Sequence, residues 1–213
     1  MDFISLSRNA LDIWSQEEEG SNSDSLILKL LPLTQPPGIN LHRLNVDFDK
    51  KEDFVLQNIV EKTDQRRRGA TRMGDHPDQA YVEANVFPAF MEARDTGHPV
   101  IDCVSAKAVD RYYIYDRVIL PQKCSAPQRA LWLVAIVWPR LILPIPEIRP
   151  QLTEAEADIL KCLMMGEQPK EIAPQLNLSR RAIEHRIQSL KAKYGARNVT
   201  HLVALAITNE LVG

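Results

Sequence analysis

Cysteine is scarce in this chain. Cys103, Cys124 and Cys162 are odd in number and far apart, so they form neither a disulfide framework nor a zinc motif. Long apolar runs are missing too. The longest, Ala130 to Trp138, has nine residues and stops at Pro139-Arg140, well short of the roughly 20 needed to span a bilayer, so no membrane partner is expected. Met1-Asp2-Phe3 shows no basic n-region with an apolar run behind it, which predicts no signal peptide and a cytoplasmic location. The net charge is only −2, so any strong positive charge has to be local. What is present, 213 residues of which 45% are hydrophobic, suits two small domains, each with its own core.

The most legible stretch runs from Leu152 to Gly195. Thr153 followed by Glu156 is a capping box: the hydroxyl accepts an orphan N–H and the carboxylate reaches back to the cap residue. The helix it opens carries Ala155, Ile159, Cys162 and Leu163 on one face and stops at Gly166, which suits a left-handed helix end. Pro169 fits a first helical position, and Ile172, Ala173 and Leu176 supply a short buried face. After an Asn177-Leu178 corner, Ser179 caps a further helix in which Ile183, Ile187, Leu190 and Tyr194 form one inward stripe; Gly195 ends it. Two helices joined by a tight corner, the second polar on its outer face, read as a helix-turn-helix.

That outer face suggests a ligand. Between Lys170 and Arg197, seven Lys/Arg stand against Glu171 and Glu184, a local surplus of five positive charges. A helix N-terminus bearing Arg180 and Arg181 attracts anions, because free N–H groups and side-chain charge point the same way. Backbone phosphates are the natural partner. Gln188 has the groups to read adenine bidentately, His185 to meet a base edge, and Glu184 to accept from cytosine N4. The predicted DNA contacts are Lys170, Ser179, Arg180, Arg181, Glu184, His185, Arg186, Gln188 and Lys191. A merely solvated helical face is the bland alternative. Cap, corner and polar stripe together favour DNA.

The segment resembles the C-terminal DNA-binding domain of the LuxR/NarL family of bacterial transcription regulators, a four-helix domain. Leu152, Thr153 and Glu156 match the family's opening. Lys170, Glu171, Ile172, Ala173, Leu176, Leu178 and Ser179 match its central motif, and Lys193, Tyr194, Gly195, Ala196 and Asn198 its closing one. There are departures. Ala182-Ile183 replaces the usual Thr-Val, removing one hydroxyl contact to DNA. Glu184 stands where a Lys or Arg is common, and Arg186 where a His is usual. Pro174 falls within the scaffold helix, where a kink is expected. The resemblance implies that a last helix carrying Val199, Leu202, Val203, Ala206 and Ile207 contributes to a homodimer on a near-palindromic site.

Ahead of this, residues 1–19 carry Phe3, Ala10, Leu11 and Trp14 at near-helical spacing and end on Glu17-Glu18-Glu19, before a Gly20-Ser21-Asn22-Ser23 break. The helix either docks on the next domain or pairs with a second copy; docking is the commoner outcome. Beyond Pro36-Pro37-Gly38, two strand-like runs around Leu41–Phe48 and Phe54–Val60 suggest a hairpin with a long turn. Gln65 to Arg72 is a basic loop, read as a solvated turn. Pro77 opens a helix in which Ala80, Tyr81, Ala84, Phe87 and Met91 share a face, ended by Gly97. Three strands follow, Val100–Val109, Arg111–Leu120 and Ala130–Trp138, the last apolar throughout and therefore central. This order implies one antiparallel sheet with helical cover on one side, and it resembles a PAS domain. The cysteine motif of flavin-adduct PAS domains, the Asp cluster of receiver domains and the Trp/Asp pattern of acyl-homoserine-lactone sensors are all absent. His76 and His98 are the candidate haem ligands, with a structural role preferred, so no cofactor and no metal are expected. A solidly filled core is preferred over a small-molecule ligand pocket.

The fold class is therefore α+β: a PAS-like antiparallel sheet with helices, plus a C-terminal all-α four-helix helix-turn-helix domain. The expected boundaries are 1–24 for the leading helix and break, 25–140 for the sensory or dimerisation domain, 141–151 for a Pro-rich linker with Pro144, Pro146 and Pro150, and 152–213 for the DNA-binding domain. The expected function is a one-component regulator binding double-stranded promoter DNA. The alternative is a protein-interaction regulator whose helix-turn-helix meets RNA polymerase or another regulator. An enzyme using Cys103 or Cys124 as nucleophile ranks far behind, for lack of a base or an orienting carboxylate.

Overall fold

The computed structural model describes residues 2–61, 70–125, 128–145 and 150–212. Most of the Gln65–Arg72 loop and part of the proline-rich linker lie outside them. The chain divides into two compact units, Met1–Val109 with Tyr113–Ile142, and Asp110–Tyr112 with Leu143–Gly213.

The first unit is built on a six-stranded antiparallel sheet. Its strands are β1 (Asn40–Asn45), β2 (Val55–Val60), β3 (Ala70–Arg72), β4 (Val100–Ala108), β5 (Arg111–Pro121) and β6 (Trp132–Pro144), in the spatial order β3-β2-β1-β6-β5-β4. The apolar run lies at the centre as expected, because β6 is buried on both faces. Leu133 and Ala135 point into one core; Val134 and Ile136 point into another. β6 also runs farther than expected, taking in Leu141–Pro144.

Helices cover both faces, which corrects the one-sided expectation. On one side lie α1 (Phe3–Ser15) and α2 (Ser23–Leu30), whose Leu6, Ala10, Leu26, Ile27 and Leu30 meet Leu41, Val118, Leu120, Val134 and Ile136. Asp2 and Asn22 cap the two helices by accepting from Ser5 and Ser25 N–H at 2.8 and 3.0 Å. Trp14 Nε1 donates to Pro121 O at 2.7 Å and fixes the end of α1 against β5. The leading helix thus docks on its own sheet.

On the other side a helical segment opens at Asp78, which caps Tyr81 N–H. It runs as α3 (Gln79–Tyr81), a π turn (Val82–Val86) and α4 (Phe87–Thr96). The π turn changes the expected face only in part: Phe87 is buried and Tyr81 and Met91 are half-buried against the same core, as expected. One extra residue per turn shifts the register, so Val82, Val86, Phe87, Phe90 and Ala93 are buried while Ala80 and Ala84 are exposed. Arg117 Nη2 donates to Asn85 O within that turn at 2.8 Å. The core beneath is not solidly filled, contrary to expectation. A half-open pocket of about 220 Å³ lies between the sheet and this segment, lined by residues including His42, Tyr81, Tyr115 and Ala135.

The second unit holds four helices, α5 (Glu154–Met164), α6 (Pro169–Gln175), α7 (Arg180–Tyr194) and α8 (Val199–Val212). Its core comprises Ile159, Leu160, Leu163, Ile172, Ala173, Ile183, Ile187, Leu190, Leu202 and Ala206. Among the described residues no helix is long and apolar enough to cross a membrane.

Candidate nucleic-acid interface

The turn between α6 and α7 is set by local chemistry. Asn177 adopts φ 52°, a left-handed value that asparagine tolerates better than most residues. Leu178 N–H then bonds back to Ala173 O at 3.0 Å. Ser179 Oγ accepts from Ala182 N–H at 3.2 Å, so its hydroxyl caps α7. Gly195, at φ 63°, closes the far end. Pro174 falls one residue before the last residue of α6, so the N–H it lacks would have served only the last turn. Glu171 also supports α6, accepting from Gln168 N–H at 2.8 Å.

α7 buries Ile183, Ile187 and Leu190 and half-buries Tyr194. Its opposite face is open. Arg180, Arg181, Glu184, His185 and Gln188 are exposed; Arg186 and Lys191 are half-buried. Lys170 is exposed at the second position of α6. Four of the predicted contacts are engaged with one another, in two pairs within the helix itself. Arg180 Nε donates to Glu184 Oε1 at 2.8 Å, and Lys191 Nζ to Gln188 Oε1 at 3.1 Å. The side chains of Arg181, His185 and Arg186 have no hydrogen bond or ion pair among the described residues, so their donors remain available to an outside acceptor.

Glu156 closes the capping box of α5, and the fold gives it a second role. The capping box forms, with Thr153 N–H donating to Glu156 Oε2 at 2.9 Å and Thr153 Oγ1 accepting from Glu156 N–H at 3.3 Å. The same carboxylate is 5% exposed and accepts from Lys193 Nζ at 2.7 Å and Ser189 Oγ at 3.3 Å, both on α7. Lys193, then the Thr153 backbone N–H, pulls its carboxyl down to about 2. Cap and anchor are one group, so α5 holds the last turns of α7 while the first turns stay open. The pairing spans 37 positions, and only the Thr153–Glu156 half is visible in sequence.

The remaining candidates from the sequence lie elsewhere. His98 is exposed, with Nδ1 2.8 Å from Thr96 O in its own turn. His76 Nδ1 accepts from Asp78 N–H at 3.1 Å. Desolvation by their surroundings pushes the thiols of the exposed Cys103 and the half-buried Cys124 and Cys162 up, away from the thiolate form a nucleophile needs. Among the described residues no cluster of His, Cys, Asp and Glu is arranged to hold a metal ion.

A short scaffold helix, a left-handed corner and a second helix presenting a cationic polar stripe define a helix-turn-helix domain. Residues 150–206 match the family of bacterial regulatory proteins, luxR family, and this segment is a LuxR-family helix-turn-helix domain. The chain is 33% identical over 73 residues to the transcriptional activator protein BjaR1 of Bradyrhizobium diazoefficiens, a match covering 34% of this chain and 30% of that protein. The chain thus spans about a third of that relative's length. A solved Vibrio cholera VqmA–ligand–DNA complex is similar at 17% identity and TM-score 0.32, covering 87% of this chain and 89% of that one. Escherichia coli SdiA is similar at 14% identity and TM-score 0.28, covering both chains fully (100% each).

Proposed function

We propose that the chain is a one-component transcription regulator, in which α7 lies along the major groove of promoter DNA and the sheet-bearing unit senses a signal or mediates homodimerisation. The observation that carries this is the open first half of α7, where Arg181, His185 and Arg186 have no hydrogen-bond or ion-pair partner among the described residues. Membership of 150–206 in the luxR family supports it. Arg181, Arg186 and Lys191 meet phosphates along with Lys170; Gln188 and His185 read base edges; Ser179 caps the helix beside the backbone. The proposed segments are 25–140 for sensing, 141–151 for connection and 152–213 for DNA. A regulator of this kind works beside the chromosome, which makes the cytoplasm the proposed compartment.

The Arg180–Glu184 pair favours a second reading. It withdraws one cation from the surface and presents a carboxylate there, as a face for RNA polymerase or another regulator would. A salt titration on random duplex DNA separates the two. Four phosphate contacts per domain give a slope of log K against log salt of about −3 to −4. A flat response refutes DNA binding and leaves the interaction reading.

A further inference from the structure

We propose that Lys191 sets what Gln188 reads: it turns the Gln188 amide so that only the NH₂ group faces the groove, which selects guanine at that position and rejects adenine. This rests on α7 being the helix that enters the major groove, and it assigns a base to one of its side chains.

Ile183, Ile187 and Leu190 are buried, which fixes the rotation of α7 about its own axis. At about 100° per residue, Gln188 then falls on the open face, and Lys191 at the margin between that face and the buried stripe. Their exposures agree: Gln188 is exposed and Lys191 half-buried. Residues three apart on a helix are neighbours, so the two side chains are within reach of each other. They meet. Lys191 Nζ donates to Gln188 Oε1 at 3.1 Å.

The chemistry follows from which amide atom is used. Reading adenine bidentately needs oxygen and nitrogen side by side on the base edge, the oxygen on N6–H₂ and the nitrogen on N7. Here the oxygen is turned back to the helix flank, and Nε2 is what remains. Its hydrogens have no partner among the described residues. Guanine offers two acceptors in the major groove, N7 and O6, and suits a donor of this kind. Charge acts in the same direction. Adenine N6–H₂ brought to Gln188 Oε1 would approach the Lys191 ammonium, whereas guanine O6 would be drawn toward it. The charged donor also polarises the amide and strengthens its NH₂ as a donor.

Lys191 gives up little in this arrangement. An ammonium has three hydrogens, so one goes to Gln188 and two are left for a backbone phosphate. One side chain then serves phosphate contact and base choice together. The pair one turn earlier supplies the opposite polarity. Arg180 Nε donates to Glu184 Oε1 at 2.8 Å, and Glu184 Oε2 stays an acceptor. Glu184 thus suits an amino-bearing base such as cytosine, and Gln188 an acceptor-bearing one.

The test uses the full chain and short duplexes. Random-pool selection gives the preferred site, and Gln188→Ala identifies the base pair that depends on Gln188. Four duplexes differing only at that pair are then titrated by fluorescence anisotropy. The wild type should bind the guanine duplex about tenfold more tightly than the adenine one. Lys191→Met should weaken binding to all four, make the salt slope shallower by about 1, and bring the guanine-over-adenine ratio close to unity. In the Gln188→Ala background the same substitution should weaken all four equally and leave their ratios unchanged. Lys191→Arg keeps a donor in place and should retain the guanine preference; Lys191→Ala serves if Lys191→Met does not fold. Adenine preferred by the wild type, a guanine preference that survives Lys191→Met, or ratios that move in the Gln188→Ala background would each overturn the assignment. So would a Gln188→Ala profile identical to that of the wild type. Any of these results with salt-dependent binding intact leaves the regulator standing. Absence of salt-dependent binding to every duplex removes the regulator and the assignment together.

Discussion

Glu156→Gln is the sharpest perturbation the C-terminal unit offers. The wild-type carboxylate accepts from Thr153 N–H, Thr153 Oγ1, Ser189 Oγ and Lys193 Nζ at 2.9, 3.0, 3.3 and 2.7 Å. An amide of the same shape still accepts from Thr153 N–H, and its NH₂ has Ser189 Oγ as acceptor. What disappears is the charge. A hydrogen bond to a charged group is worth roughly 1 kcal/mol more than a neutral one, and two strong bonds are affected. Lys193 is about a third exposed (34%) and remains partly solvated, which trims its share. The loss is therefore about 1–2 kcal/mol at pH 7. The pH dependence has a definite sign. A carboxyl whose folded value is depressed to about 2 from 4.5 stabilises the fold fully above 4.5 and loses that contribution as pH falls toward 2. Urea denaturation of both proteins at pH 7, 5 and 3 should show a gap that is widest at pH 7 and narrows below pH 4.5. Equal midpoints at pH 7, or a gap that persists undiminished at pH 3, would refute the assignment of Glu156 as the charged tie between α5 and α7.

Other perturbations test other parts. Arg181→Ala should weaken binding to every DNA sequence about equally and reduce the salt slope by about 1, read by fluorescence anisotropy across salt concentrations. Gln188→Ala should shift preference at one base by about 1–3 kcal/mol; identical profiles in random-pool selection would remove Gln188 from base reading. Glu184→Lys frees Arg180 and adds a cation, so nonspecific binding should tighten; unchanged affinity would place position 184 away from the duplex. Arg117→Leu strands the Asp102 carboxylate and leaves Asn85 O without its side-chain donor. It should destabilise the sheet-bearing unit by about 2 kcal/mol, measured by urea denaturation, because the half-buried Asp102 carboxylate loses its partner and is only partly compensated by solvent.

The C-terminal unit was legible because its determinants are local. Thr153 and Ser179 cap, Gly166 and Gly195 terminate, and Ile183, Ile187 and Leu190 repeat at helical spacing. The central place of β6 was legible from an unbroken apolar run. That run carried a further message: a strand apolar on both faces needs cover on both, which is where α1 and α2 belong. Two features were beyond reach. The π turn breaks the 3.6-residue period that placed Ala80 and Ala84 inward. The reach of Glu156 to Lys193 joins helices far apart in sequence, and no spacing rule encodes it. For the candidate contacts, type and face followed from sequence, whereas the engagement of Arg180 with Glu184 and of Lys191 with Gln188 required coordinates.

The alternation along β6 makes the hollow a matter of alignment as much as of composition. Slide that strand one position against β1, and Val134 or Ile136 would stand where Ala135 now faces His42, with the space filled by branched carbon. The side bearing α1 and α2 would receive alanine in exchange and loosen. The emptiness therefore belongs to a single pairing of the strands, and whatever secures that pairing also keeps the chamber open.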